Sequence, residues 1–233
     1  MQLTLALEAS SITYAVAVGA GGQLRAQRAS RRDEPGFAGL GELVAQALAD
    51  TDAEFADIAT VAVDVGPGGL TSIRAAVAYA NGLAFSLGVP VFAVTSLELM
   101  AIEARQEHAG PVLSLKRGSA GNMYAGLFTP GHEPEFRYGP ADSAVPALAG
   151  GIGAMNVAGA HPSDLADLLP GVTVRDTGIT DADVTVLYAA AVQAARTERH
   201  RLVPVASAVN EGSRIFHPAG SSHSIDSEAG GER

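Results

Sequence analysis

The sequence predicts an α/β protein in two lobes, each a mixed sheet flanked by helices, with the second lobe reduced. Three observations carry this. Residues 1–105 read as three short strands joined by tight turns and then as alternating helices and strands, in the order β-β-β-α-β-α-β-α. A strand pattern restarts after a polar connector at 106–110 and continues in the same style. The 233 residues are 47% hydrophobic and 17% charged, a globular composition long enough to bury full cores.

Taken in order, 3–7, 14–18 and 23–27 are apolar or alternating runs separated by a polar turn at 8–13 and a glycine turn at 19–22, which implies an antiparallel meander. Arg25, Arg28, Arg31 and Arg32 make a basic segment in an acidic chain, read as a solvated sheet edge or as a partner contact. Phe37, Leu40, Leu43, Val44, Ala47 and Leu48 recur at helical spacing up to about Asp50. Residues 59–65 form a buried strand, and Gly66-Pro67-Gly68-Gly69 breaks it sharply. Thr71 or Ser72 then offers an N-cap for a helix whose apolar face is Ile73, Val77, Ala80, Leu83, Ala84 and Leu87, stopped by Gly88 and Pro90. Residues 90–94 are a strand, and Thr95 with Glu98 has the spacing of a capping box for a helix over 97–104.

In the second half, 111–116 and 122–128 suggest a hairpin, and 129–154 are poorly periodic apart from a short helix within 140–148. Residues 155–159 read as a strand, 163–169 as a short helix, 172–174 as an edge strand and 184–197 as a clear helix. The expected organisation is an N-terminal lobe over 1–105, a smaller C-terminal lobe over 106–216 and a flexible tail from 217 to 233.

Composition removes several function classes. The chain has no cysteine, so disulfides, thiolate metal sites and a cysteine nucleophile are excluded. A net charge of −10 disfavours independent nucleic-acid binding, which depends on Lys and Arg neutralising phosphates. The first residues lack a basic signal region, Glu8 interrupts their apolar run, and no stretch nears the ~20 residues of a membrane span. A cytoplasmic protein without membrane contact is expected.

The strand–glycine turn–helix at 59–87 is the organising unit. Backbone N–H groups at such a turn favour an anion, yet neither a Walker loop nor GxGxxG is present. Two readings stand: a tight turn for strand–helix packing, or a phosphate cradle. Glu8, Ser10 and Ser11 carry the same pair of readings, as an ordinary hairpin turn or as nucleotide contacts.

Three segments together resemble the TsaB family, the dimerization subunit of bacterial tRNA threonylcarbamoyladenosine synthesis. They are the strand into Glu8-Ala-Ser-Ser11, the loop from Gly66 to Arg74 followed by Gly82-Leu83-Ala84, and the stretch from Gly88 to Leu97. The resemblance covers residues 1 to about 100. It implies an actin-like, RNase H-like ATPase fold and a non-catalytic scaffold that activates the threonylcarbamoyl transferase of this pathway. Older names for such chains are glycoprotease-like or peptidase M22 homologue. It further implies a homodimer that exchanges with a TsaD-type catalytic subunit, a TsaE-type ATPase as another partner, and tRNA reached only through the complex. No cofactor is required, with room left for ATP or ADP at a shared site, for which Glu8, Ser10, Ser11, Gly66, Gly68 and Gly69 are the candidates. The family's dimerization helices correspond to the two small-residue helices here, so Leu40, Val44, Ala47, Ile73, Val77, Ala80, Leu83 and Ala84 become interface candidates, against intramolecular packing on the sheet.

Departures from the family pattern include Glu8 for its Asp, Gly69-Leu70 for Ser-Phe, Ser72 for Gly, and Lys116-Arg117-Gly118 for Asp-Ala-Arg. No catalytic or metal residues are assigned. No two histidines lie four apart as a metal pair on one helix face requires, and no Gly-x-Ser-x-Gly follows a strand. The rival reading is a phosphotransferase that uses Glu8, with Asp64 as a second carboxylate. A diverged paralogue without a role in tRNA modification is a third.

Overall fold

A computed structural model describes residues 2–149, 151–197 and 202–216. The expected tail from 217 lies outside the described residues. Two mixed sheets with helices on their faces form the two lobes, the α/β architecture expected from the sequence.

The first sheet contains β1 (Leu3–Glu8), β2 (Thr13–Ala20), β3 (Gln23–Arg31), β4 (Ile58–Asp64), β5 (Val91–Val94) and β11 (Leu202–Val203), in the order β11-β5-β4-β1-β2-β3. β1, β2 and β3 form the antiparallel meander, while β4 and β5 join in parallel. The period of two along β1 sends Leu3, Leu5 and Leu7 to one face, where α1 (Leu40–Ala49) and α2 (Leu70–Leu87) pack. On the other face Ala6, Ala15, Ala17 and Ala62 are small enough for α6 (Val184–Thr197) to lie close with Leu187, Tyr188 and Ala191.

The second sheet has the order β10-β9-β6-β7-β8, made of β6 (Val112–Arg117), β7 (Asn122–Phe128), β8 (Glu135–Pro140), β9 (Ala154–Gly159) and β10 (Thr173–Asp176). One face packs on α4 (Ala141–Ala149) and α5 (Leu165–Leu168), through Val145, Leu148 and Leu165. The opposite face packs on α3 (Ser96–Glu107), through Leu97, Met100, Ala101 and Ala104. α3 leaves the first sheet after β5 and covers the second, so it stands between the lobes.

Several expectations are corrected. The lobes are not contiguous segments: α6 and β11, expected in the 106–216 lobe, belong to the first sheet, because the alanine face of that sheet would otherwise stay exposed. Neither Thr71 nor Ser72 caps α2. The N-cap is Gly69, and Ser72 is buried within the first turn. β8 lies in the stretch read as poorly periodic; it pairs only with β7, and an edge strand tolerates Pro140 at its end. Thr95 does cap α3, accepting the Glu98 N–H at 3.1 Å, and Gly88 closes α2 in the left-handed conformation.

The interface candidates are corrected most. Leu40, Val44, Ala47, Ile73, Val77, Ala80 and Ala84 are buried in the first lobe's own core, and Leu83 packs against that core half-buried. The helical stripe that the periodicity identifies is the sheet-facing stripe, since an apolar face buries first against its own strands. Ala80→Glu or Ala84→Glu, which would disrupt a dimer if these were surface positions, instead places a carboxylate in a dry core. Either substitution is expected to cost more than about 3 kcal/mol of stability, read as a lower denaturant midpoint of the monomeric unit.

Candidate functional site

β1 and β4 are parallel neighbours, with Leu7 opposite Val63, so the residues that end them emerge side by side. These residues are Glu8 and Asp64, both buried. The C-terminal edge of parallel strands is where open α/β sheets commonly place ligands, because the chain diverges there and leaves a crevice.

The two turns that follow are tied to each other. Gly69 N–H donates to the Ser10 carbonyl at 3.1 Å, and a Cβ on Gly68 would collide with the Ser10 backbone. Gly66 has φ of 92°, in the region glycine alone enters cheaply, and its N–H donates to Asp64 Oδ1 at 2.8 Å. Ser96, at the start of α3, places Oγ 2.8 and 2.7 Å from the two Asp64 oxygens, and its N–H donates to the Gly66 carbonyl at 2.9 Å. Asp64 is therefore the internal anion of the turn.

Glu8 Oε1 accepts from both the backbone N–H and the hydroxyl of Ser10, each at 2.6 Å. Lys116, from β6 of the second lobe, donates to Ser10 Oγ at 3.0 Å and lies 3.4 Å from Asp181. Alternation along β6 puts Val112, Ser114 and Lys116 on the face toward α3 and the first lobe. Ser11 holds its own turn through Thr13: its hydroxyl accepts from the Thr13 N–H at 3.1 Å.

The electrostatics follow from burial. Desolvation, with the Asp64 charge adding to it, pushes the Glu8 carboxyl up to about 7 against the lowering pull of Ser10 and Lys116. Burial also raises Asp64, opposed by Lys116, the Gly66 N–H and Ser96. Beside the cluster runs a cleft of about 660 Å³ lined by Glu8, Ser11 and Thr13, by Glu103 and Glu107 of α3, and by the 177–184 segment with Asp181 and Asp183. Burial and the neighbouring Asp183 and Glu107 raise Glu103 as well.

Of the nucleotide candidates, the structure brings Glu8, Ser10, Gly66, Gly68 and Gly69 together and leaves Ser11 on the cleft wall. The N–H groups of Gly66 and Gly69 already serve Asp64 and Ser10, and the cleft beside them is acidic, so these groups fit a triphosphate poorly. Among the described residues no group of three His, Asp or Glu could hold a metal ion. Sequence reasoning did not assign Ser96, Lys116 or Asp181. A lysine ending an otherwise apolar strand was the one available signal for Lys116.

The comparisons match the fold along most of the chain and its sequence over a shorter segment. A family described as "TsaD: tRNA N6-adenosine threonylcarbamoyltransferase" matches residues 38–133. The tRNA threonylcarbamoyladenosine biosynthesis protein TsaB of Bacillus subtilis is 36% identical over 83 residues, 35% of each chain. That of Buchnera aphidicola is 37% identical over 59 residues, 25% of this chain and 27% of the relative. The matched segment thus spans about a third of these relatives' length. A Pseudomonas aeruginosa protein described as similar to the peptidase YeaZ superposes with a TM-score of 0.72 at 24% identity, over 90% of this chain and 99% of that one. YeaZ from the same organism gives 0.68 at 23% identity, over 87% and 95%. The class is a two-lobed α/β protein of the same fold as these Pseudomonas structures, with a glycine turn at its strand ends. Over part of its sequence the chain is similar to the curated TsaB proteins.

Because Glu8 takes up its proton more readily folded than unfolded, stability from this group is full below about 4.5 and is lost as pH rises through about 7. Glu8→Gln keeps the acceptor for Ser10 and removes the buried charge. It is expected to stabilise the chain at pH 8 by on the order of 1–3 kcal/mol and to flatten the pH dependence between 5 and 7 in urea unfolding. A less stable variant with an unchanged slope would show that Glu8 is ionised and well paired.

Proposed function

We propose that this chain is a non-catalytic subunit of tRNA threonylcarbamoyladenosine biosynthesis, docking and activating a TsaD-type transferase. The pathway comes from the names of the relatives that share part of its sequence. Non-catalytic status is supported by the cluster at the strand ends, where Ser10, Ser96, the Gly66 N–H and Lys116 all satisfy Glu8 and Asp64 internally.

The observation that carries docking is the outward side of α2. Phe85 is 90% exposed there, on a face with Arg74, Ala75, Ala78 and Gly82, while the opposite side is core. A groove lined by Ala45, Leu48, Ala49, Ala53 and Phe55 opens at the end of α1. An aromatic knob on a stripe of small residues is what a close helix–helix contact between subunits uses as its anchor. The same face would serve a homodimer and, in exchange, the transferase subunit. A TsaE-type ATPase belongs to the same assembly, and tRNA is reached through it, in keeping with the net charge of −10.

ATP or ADP, on this reading, binds only where the partner completes the site, because Glu103, Glu107, Asp181 and Asp183 line the cleft beside Glu8. Isothermal titration of ATP into the isolated chain is expected to give no heat of binding. ATP turnover by the isolated chain would instead establish the phosphotransferase reading, for which the Glu8–Asp64 pair is the motive.

Light scattering on a sizing column, with the chain alone and mixed with the TsaD-type subunit, is expected to show a homodimer that converts to a heterodimer. Phe85→Glu should abolish both species while changing stability by no more than about 0.5 kcal/mol, as for an exposed position. Unchanged complexes in Phe85→Glu would move docking away from α2.

A further inference from the structure

Residues 204–216 have little regular structure, yet they touch both lobes at fixed points. They leave β11 at the edge of the first sheet, where Val203 faces Val91 of β5. The Asn81 side chain of α2 then grips the Ala206 backbone on both sides: its amide donates to the Ala206 carbonyl at 2.9 Å and its oxygen accepts the Ala206 N–H at 2.8 Å. Three residues on, Val209 N–H donates to the Val65 carbonyl at 2.7 Å, at the mouth of the glycine turn. A Cβ added to Gly66 would stand 3.2 Å from the Val209 carbonyl oxygen, so the segment lies directly on that turn.

It next crosses to the second lobe. A self-contained turn from Asn210 to Ser213 is closed by the Asn210 N–H on Ser213 Oγ at 2.9 Å and the Gly212 N–H on Asn210 Oδ1 at 2.9 Å. This turn presents Glu211, whose Oε2 accepts from the Tyr124 hydroxyl of β7 at 3.0 Å. The Glu211 carboxyl is held below its usual range by its own backbone N–H and Tyr124, and Arg74 of α2 adds to this. Phe216 finally enters the aromatic cluster of the second lobe, with ring centroids 5.1 Å from Tyr124 and 6.1 Å from Phe136.

We propose that residues 204–216 are a strap that locks the two lobes in one orientation and closes the mouth of the glycine turn, and that its release frees both. Physically, the lock is a chain of separate polar contacts with small apolar anchors at Ala206 and Val209 and an aromatic one, Phe216, at its far end. Val205 between them is 63% exposed, so the strap is fastened at points rather than sunk in a core. Each such hydrogen bond makes only a modest net contribution, so losing two or three is enough to change the docked population while both sheets keep their cores. Releasing the strap would uncover the Val65–Gly66 backbone and leave the lobes joined by α3, by the 177–183 crossing from β10 to α6 and by the Lys116–Ser10 contact.

The chain has no cysteine, so spin labels can be placed at will. Labels at Gln193→Cys on α6 and Asp142→Cys on α4, both exposed, report the distance between lobes. The full chain is expected to give one narrow distance distribution. Asn81→Ala combined with Tyr124→Phe, which keeps the ring in place, should speed amide exchange at Ala206 and Val209 about tenfold or more and broaden that distribution. Glu211→Gln, which preserves volume, tests the second-lobe end alone should the double variant fail to fold, with the same two readouts. Unchanged exchange would overturn the claim that these contacts hold the strap. Faster exchange with an unchanged distance would overturn the claim that the strap holds the lobes.

Discussion

Two carboxylates buried side by side at the ends of adjacent parallel strands constrain everything around them. Removing an ionised carboxylate from water costs several kcal/mol unless hydrogen bonds and opposite charge replace the lost hydration. The chain supplies both. Asp64 draws in the Gly66 N–H and the Ser96 hydroxyl, which fixes the glycine turn and the start of α3. Glu8 draws in Ser10, which fixes the first hairpin turn, and Ser10 receives Lys116 from the other lobe. Four elements from two lobes thus meet because two buried carboxyl groups need partners.

That arrangement also explains why the glycine turn is a poor guide to chemistry. Its free N–H groups suggest an anion from outside, and the anion is supplied from inside by the residue two positions before Gly66. Ser10 occupies the Gly69 N–H in the same way. The acidic cleft alongside strengthens the point, since a phosphate entering it would meet Glu8, Glu103, Asp181 and Asp183.

The two small-residue helices divide their labour by face. Inward residues such as Ala80 and Ala84 let α2 sit close on the sheet, and outward residues stay exposed. Phe85 is on the outward side, one residue from Ala84, which is 1% exposed. A single step along a helix turns about 100°, so adjacent positions have opposite fates and one substitution tests packing while the next tests docking.

Local pattern determined much of this protein. Alternation and helical periodicity located the first three strands, α1, α2, α3 and α6, and the Thr95 cap, because each depends on neighbours within a few positions. The sequence resemblance to TsaB proteins was carried by residues 1 to about 100. Only the tertiary structure decided which face of α1 and α2 was core, that α6 and β11 return to the first sheet, and that Lys116 and Asp181 join Glu8. Several of these contacts link residues 100 or more positions apart, as Lys116 and Ser10 are by 106. Their pairing depends on how two sheets are set against each other, and no local period encodes that.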